Sequence, residues 1–399
     1  MNKKNGFWKG ALCGALVMLV LSVAVIGGRN LVSGIFATST GVSGVIDSTT
    51  KDKLTKIRTL IDKHFLHDID ENSLTNGIFA GYVAGLDDPY SVYYNEEETK
   101  ALLESTSGEY SGIGAVLSQD KDTGVITIVN VFDQAPAKEA GMKAEDLVKS
   151  VDGKEVTGKD LTKVVSDIKG KEGTTVKITV VRGSENKEID LTITRRKVET
   201  QTVSYEMKEN KIGYIRVTEF DSVTYDQFAK ALDDLNSQDM QGLVIDLRNN
   251  PGGNLATVCD MLRQILPKGL IVYTKDRDGN KEEFKSDGAN EFDKPLTVLV
   301  NGYSASASEI FAGAVQDYGI GKIVGTTTYG KGVVQQLFDL NDGTFVKITI
   351  SEYFTPKGRN IDGKGIEPDE VVEFTQNEND ENADNQLDRA MEIIQSELK

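Results

Sequence analysis

The chain has 399 residues, 39% of them apolar, and carries 45 Lys and Arg against 62 Asp and Glu, a formal net charge of −17. That length exceeds one ordinary core and calls for two or three domains. The acidic balance, with no concentrated basic face, excludes phosphate-backbone binding and so a nucleic-acid partner. Two cysteines, Cys13 and Cys259, exclude a disulfide framework, and two histidines, His64 and His67, leave little from which to build a metal centre.

At the N-terminus Lys3, Lys4 and Lys9 precede an apolar run over residues 11–28, with Arg29 beyond it. Such a run is at the short end of a membrane span, and the lysine excess places the N-terminus in the cytoplasm. A cleaved signal peptide is the competing reading. The small triplet Ser22-Val23-Ala24 falls inside the apolar run, however, and Ala37 has bulky Ile35 where a small residue is needed. The expectation is an uncleaved signal-anchor over residues 1–29 in the cell membrane, with the bulk of the chain extracytoplasmic. Residues 30–52, rich in Ser, Thr and Gly, read as a spacer.

Residues 53–106 turn helical. Leu54, Ile57, Leu60, Ile61 and Phe65 fit one face, and Leu74, Ile78, Phe79, Tyr82 and Val83 fit another. The stretch Gly-Leu-Asp-Asp-Pro-Tyr-Ser-Val-Tyr-Tyr from Gly85 breaks the pattern. His64 and His67 share a helical spacing, but nothing nearby completes a tight metal site, and they read as ordinary helix residues.

Over residues 107–197 the periods shorten. Residues 115–117, 125–131, 147–151, 176–182 and 187–194 read as strands, with turns at Asp152-Gly153 and Gly183-Ser184, and residues 137–140 and 161–168 read as helices. The run Ala-Pro-Ala-Lys-Glu-Ala-Gly-Met, followed by Glu-Asp-Leu-Val-Lys-Ser-Val-Asp-Gly, resembles a PDZ domain. Such a domain adds a peptide C-terminus to a sheet edge and holds the carboxylate on loop amides. Ser111, Gly112, Ile113 and Gly114 stand where that loop belongs, and glycine lets amides approach without a side chain intruding. A tight turn without ligand is the blander reading. Lys169 is the nearest candidate cation, although lysines at such turns are usually solvated.

From residue 198 a third region begins. Residues 212–217 and 243–247 read as buried strands around a helix at 225–235. The second strand runs into Asp-Leu-Arg-Asn-Asn-Pro-Gly-Gly-Asn before a helical pattern at 255–266. Gly252 and Gly253 ahead of a helix leave backbone N–H groups free to meet developing negative charge. A phosphate loop would need Gly-Lys-Ser/Thr or Gly-x-Gly-x-x-Gly, and neither follows. Next, an apolar run at 296–300 stops at Asn-Gly-Tyr-Ser-Ala-Ser-Ala-Ser-Glu-Ile-Phe, which places Ser304, Ser306 and Ser308 at a strand-to-helix junction. Lys331 follows between two glycines, ahead of a strand at 333–338 holding Gln335 and Gln336. Residues 322–324 and 345–350 complete the strands, residues 374–385 are acidic and polar, and residues 387–398 read as a terminal helix.

These motifs together resemble the carboxyl-terminal processing proteases, PDZ-containing serine peptidases with a Ser/Lys dyad. Ser-Ala-Ser-Ala-Ser-Glu, Gly-Lys-Gly and a following Gln carry the likeness, as do Asn-Pro-Gly-Gly, Asp-Pro-Tyr-Ser, Thr-Pro-Lys-Gly and Gly-Ile-Glu-Pro. The resemblance implies Ser306 as nucleophile, Lys331 as general base and Gln335 as the amide that orients the lysine. It implies oxyanion donors from Gly252 or Gly253 and from Ala307. It also implies an α/β core of the β/α-spiral, ClpP/crotonase-like type at residues 198–370 and an acidic tail and helix at 371–399, in a multi-domain α/β chain. No cofactor and no metal are implied; the substrates would be protein C-termini, and the helical region would form a homodimer.

A lysine acts as base only when neutral, and bringing its pKa from about 10.4 to about 7 takes roughly 4–5 kcal/mol, which burial can supply. Four strand residues cover about 13 Å, so Gln335 reaches Lys331 only if the chain folds back. Two other classes compete. A non-catalytic PDZ scaffold would capture peptides without hydrolysis, which the intact Ser/Lys/Gln set argues against. A trypsin-like protease with a PDZ domain would need a catalytic histidine in a β-barrel context, which is missing, and no Gly-x-Ser-x-Gly elbow occurs for a Ser/His/Asp triad.

Overall fold

Strands Gly242–Asp246 and Leu296–Val300 are buried at every position. They are the centre of a six-stranded sheet ordered Val203–Met207, Ile212–Val217, Gly242–Asp246, Leu296–Val300, Lys322–Gly325 and Glu370–Val371. All pairs but the first are parallel. Continuous apolar runs suit strands covered on both faces. On one face Phe228, Leu232, Val258, Leu262, Ile310 and Phe311 from three helices meet Ile245, Val298 and Val300. On the other, Ala390 and Ile394 of the terminal helix Asn385–Glu397 cover Ile212, Val244, Leu299 and Val324. Burying one such side chain contributes about 1.5–3 kcal/mol, so both faces are anchored by several residues each. The computed structural model describes residues 45–376, 380 and 383–398.

A second, antiparallel sheet carries Val92–Tyr94, Phe345–Phe354, Gly269–Asp276 and Lys281–Ser286 in that order, and Val333–Asp339 also pairs with Phe345–Phe354. Its fully buried Tyr353 enters the main core. Val203–Met207, Val92–Tyr94, Gly269–Asp276 and Lys281–Ser286 were not among the strands expected from sequence.

Between residues 115 and 194 lies a separate antiparallel sheet ordered Ala115–Gln119, Ile126–Val131, Leu147–Val151, Thr175–Arg182 and Lys187–Thr194. Its inward residues Ile126, Ile128, Val148, Ile178, Val180 and Ile193 close a core with Val164 and Ile168 of the helix Leu161–Ile168. That helix begins at Asp160, whose carboxylate accepts from the Lys163 N–H at 3.0 Å, a capping contact worth about 1 kcal/mol.

Of the described residues, 45–74 belong to a compact unit distinct from the rest. Its helix Ser48–His64 is capped by Asp47 and leaves Leu54, Ile57 and Leu60 exposed. The helical region expected over 53–106, with its break from Gly85, is made of three helices, Ser48–His64, Glu71–Ala84 and Glu96–Ser107, with Val92–Tyr94 between the last two. Among the described residues no helix is long and apolar enough to cross a membrane. The candidate anchor at 11–28, with Cys13, lies outside the described residues.

Candidate active site

The junction at residues 301–309 sorts its three serines. Ser304 is buried and its hydroxyl donates to Leu247 O at 2.8 Å; Ser308 is buried and donates to Asn250 O at 2.9 Å. Both hydroxyls bind the oxyanion-candidate loop to the serine loop. Ser306 is only half-buried and stands as the N-cap of the helix Ala307–Tyr318 at φ 55°, ψ −112°. A non-glycine residue there is strained by about 1–3 kcal/mol, and something must hold it.

Glu309 does so. Its side chain is fully buried, and Oε2 accepts from the Ser306 N–H at 2.8 Å and from the Lys331 N–H at 2.9 Å. Its Oε1 accepts from the Thr328 hydroxyl at 2.5 Å and the Gly330 N–H at 2.7 Å. Tyr353 closes the same ring from below, its hydroxyl donating to Ser306 O at 3.0 Å and Lys331 O at 2.5 Å. One carboxylate and one phenol thus fix the backbones of both candidate catalytic residues side by side.

Lys331 is half-buried, and its Nζ lies 4.6 Å from the centroid of the Tyr90 ring. Burial pushes its pKa below the ordinary lysine value, and the charge of Lys347 adds to that, while Asp88 and Glu309 pull it back up. Among the described residues no hydrogen bond joins Nζ to Ser306 Oγ. The amine faces a cleft of about 530 Å³ lined by Tyr90, Asn249, Pro251, Tyr303, Ala305 and Tyr329. Ser306 follows directly on Ala305 of its wall.

The Asn-Asn-Pro-Gly-Gly loop is locked against the serine loop. Asn249 N–H donates to Asn301 Oδ1 at 3.0 Å, and Asn301 Nδ2 returns a bond to Asn249 Oδ1 at 2.9 Å. Buried Asn250 accepts from the Ala305 N–H at 3.0 Å and from the Gly252 N–H at 2.9 Å. The Gly252 amide is therefore already engaged. A Cβ on Gly252, at φ +108°, would meet Ser306 Cβ at 2.9 Å and the Ala307 nitrogen at 3.1 Å, so glycine keeps this space open beside the serine. Among the described residues neither the Gly253 nor the Ala307 N–H has an acceptor. Of the two glycines, Gly253 has the free donor and Gly252 the clearance.

Gln335 does not meet the lysine here. It lies on Val333–Asp339 after a register shift, and its Nε2 donates to Thr349 Oγ1 at 3.1 Å. Its Oε1 is left without a partner among the described residues.

In the PDZ-like region, Gly112 and Ile113 line an apolar groove of about 280 Å³ together with Ala115, Leu117, Val165 and Ile168. Lys169 sits at that groove, 4.9 Å from the Tyr110 ring centroid and 3.4 Å from a Glu104 carboxylate oxygen.

Residues 211–372 match the model of peptidase family S41, residues 111–193 that of a PDZ domain, and residues 37–99 that of the N-terminal domain of the activating protease CtpB. Over 366 residues, 89% of this chain and 72% of the relative, the chain is 37% identical to a probable CtpA-like serine protease of Staphylococcus haemolyticus. The chain belongs to peptidase family S41. The carboxy-terminal processing protease CtpB of Bacillus subtilis is 36% identical over 321 residues, 79% of this chain and 66% of that protein. The fold is shared with a putative S41 protease of Bacteroides fragilis, at TM-score 0.50 and 18% identity over 78% of this chain and 87% of that one. As a PDZ-containing member of peptidase family S41, the protein is a serine-type peptidase of the C-terminal processing kind.

The sequence assigns no role to Glu309, Tyr353 or Tyr90, although Glu309 and Tyr90 lie inside the Ser-Ala-Ser-Ala-Ser-Glu and Asp-Pro-Tyr-Ser motifs. A buried acidic residue three positions after a strand-to-helix serine matches the capping-box spacing, and that was the available signal for Glu309. Nothing local could have linked Tyr90 to Lys331.

Proposed function

We propose that this S41 peptidase is an endopeptidase in which Ser306 attacks the scissile carbonyl while the neutral Lys331 amine takes its proton and later returns it to the leaving amine. The N–H groups of Gly253 and Ala307 receive the oxyanion, one such donor being worth about 3 kcal/mol. The reading is carried by one observation: Glu309 Oε2 accepts from both Ser306 and Lys331, which holds the two residues adjacent. With Nε2 fixed by Thr349, the free Oε1 of Gln335 is the acceptor to which the amine turns when it faces the serine. The aromatic walls of the cleft, with Tyr303 73% exposed, suit an apolar substrate side chain.

Substrates are captured by a free C-terminus at Ser111–Gly114 and the apolar groove beyond it. The core, residues 198–370, is of the β/α-spiral, ClpP/crotonase-like type. Residues 11–28 anchor the chain in the cell membrane with its catalytic part outside, and the exposed Leu54, Ile57 and Leu60 support homodimerisation.

The test is cleavage of an unfolded protein with an apolar C-terminus, against the same substrate amidated at its end. Ser306→Ala and Lys331→Ala are each expected to lose about 10³-fold or more in turnover while still binding a C-terminal peptide. Amidation is expected to raise KM. Near-normal turnover by either variant overturns the dyad.

A further inference from the structure

Residues 87–91 form a turn that reaches both members of the lysine's surroundings. Tyr90 lines the same cleft as Lys331 and lies under its amine, 4.6 Å from centroid to Nζ. Tyr329 lines the cleft with it, and the two side chains interact, which raises the Tyr90 pKa along with burial. The turn itself is stiff: Asp88 accepts from the Tyr90 N–H at 3.1 Å and from the Ser91 hydroxyl at 2.5 Å. Ser91 Oγ in turn accepts from the Thr349 N–H at 3.1 Å, and Thr349 is the residue that holds Gln335.

We propose that Tyr90 is a positioning residue for the general base: its ring roofs the Lys331 amine, excludes water from it, and releases it to Ser306. This rests on Lys331 being the base. An ammonium over an aromatic face gains about 0.5–2 kcal/mol, whereas removing its water shell disfavours the charged form by more. Burial as a whole lowers the Lys331 pKa, and the Tyr90 ring, 4.6 Å from Nζ, is part of what covers the amine. Lys347, from Phe345–Phe354, favours the neutral amine, while Asp88 of the turn and Glu309 of the serine helix oppose it. Tyr329 interacts with Tyr90, Asp362 accepts from the Gly332 N–H, and Tyr353 donates to Lys331 O.

The choice of a ring over a carboxylate matters for release. No ion pair is formed by Lys331 among the described residues, so the neutral amine can turn from the Tyr90 ring toward Ser306 without breaking one. A short salt bridge would both hold it and keep it protonated.

The experiment compares Tyr90→Phe, Tyr90→Ala and Tyr90→Gln with wild type in the full chain, following kcat and KM from pH 6 to 10, with Lys331→Ala alongside. Tyr90→Phe keeps the ring and is expected to retain the wild-type pH profile. Tyr90→Ala lets water onto the amine, and Tyr90→Gln sets a hydrogen-bonding group over it. Both are expected to move the acid limb of kcat/KM up by about one pH unit, a roughly tenfold loss near pH 7 that is recovered at high pH. Either of these two variants decides the matter if the other fails to fold. An acid limb that stays in place while KM rises makes Tyr90 a substrate wall and overturns the proposal, as does Tyr90→Phe behaving like Tyr90→Ala. Normal cleavage by Lys331→Ala sinks the dyad itself; an inactive Lys331→Ala beside an unmoved limb sinks only the role of Tyr90.

Discussion

Glu309 has no contact with water, yet each of its carboxylate oxygens accepts two hydrogen bonds. Hydrogen bonds to a charged acceptor contribute about 1.5–3 kcal/mol each, and a buried donor left unpaired costs about 1–3 kcal/mol. Glutamine keeps the shape but offers one acceptor oxygen, and its NH2 must face two donors. Glu309→Gln is therefore expected to destabilise the protein by about 3 kcal/mol or more in urea unfolding. Because the strained Ser306 backbone loses its acceptor, kcat should fall further than KM changes. Unaltered kcat would show that the serine conformation does not depend on the carboxylate. The lysine carries a separate expectation. The charge of Lys347 pushes the Lys331 pKa down, so Lys347→Ala should move the acid limb of kcat/KM to higher pH, and by less at high salt, where charges are screened.

At the scale of the element, the 249–254 loop combines two glycines with different duties. Gly252→Ala places a methyl group 2.9 Å from Ser306 Cβ, in the space beside that serine. Gly253→Ala, at φ +143°, drives one to within 2.4 Å of Phe220 O and displaces the free N–H. Each is expected to lower kcat about 10²–10³-fold with peptide capture by the PDZ groove unchanged; turnover within a few-fold of wild type would remove this loop from the chemistry. The loop was legible because Pro-Gly-Gly before a helix is a local pattern, as were the strands 147–151 and 187–194, whose alternation reflects one buried face. One of the missed strands has a plain cause. Lys281–Ser286 is Lys-Glu-Glu-Phe-Lys-Ser, an edge strand whose charged side chains suit an edge open to water and carry no apolar period. The lysine's surroundings were illegible for another reason. Tyr90, Lys347 and Tyr353 come from distant stretches, and only the pairing of Phe345–Phe354 with both Val92–Tyr94 and Val333–Asp339 brings them to residue 331.

Across the molecule, the point where the chain passes into the PDZ domain also touches the catalytic loop. Gly108 ends the helix Glu96–Ser107, and a Cβ there would stand 2.9 Å from that of Asp221. Thr106 O accepts from the Ser222 N–H at 3.3 Å and from Asn254 Nδ2 at 3.2 Å, and Asn254 follows Gly253 directly. Asp221 is 6% exposed at this junction, and burial, with Glu219 adding, pushes its carboxyl up to about 6. The native state then binds this proton more tightly than the unfolded chain, whose carboxyl titrates near 3.8. The sign follows: Asp221 stabilises relative to its ionised form at low pH, and that contribution is lost as pH rises from about 4 to about 6. Above that range an ionised carboxylate is held in a dry junction. Asp221→Asn removes the charge at constant shape, so the Tm difference, variant minus wild type, should grow from near zero at pH 4 to a plateau above pH 7. A gain of 1 kcal/mol corresponds to roughly 2–4 °C in a domain of 150–250 residues. A difference that stays constant with pH would mean that Asp221 is ionised throughout. If the junction also transmits PDZ occupancy to Gly253, the same variant should alter how a tethered C-terminal peptide changes kcat, and in wild type that change should itself vary between pH 5 and 7.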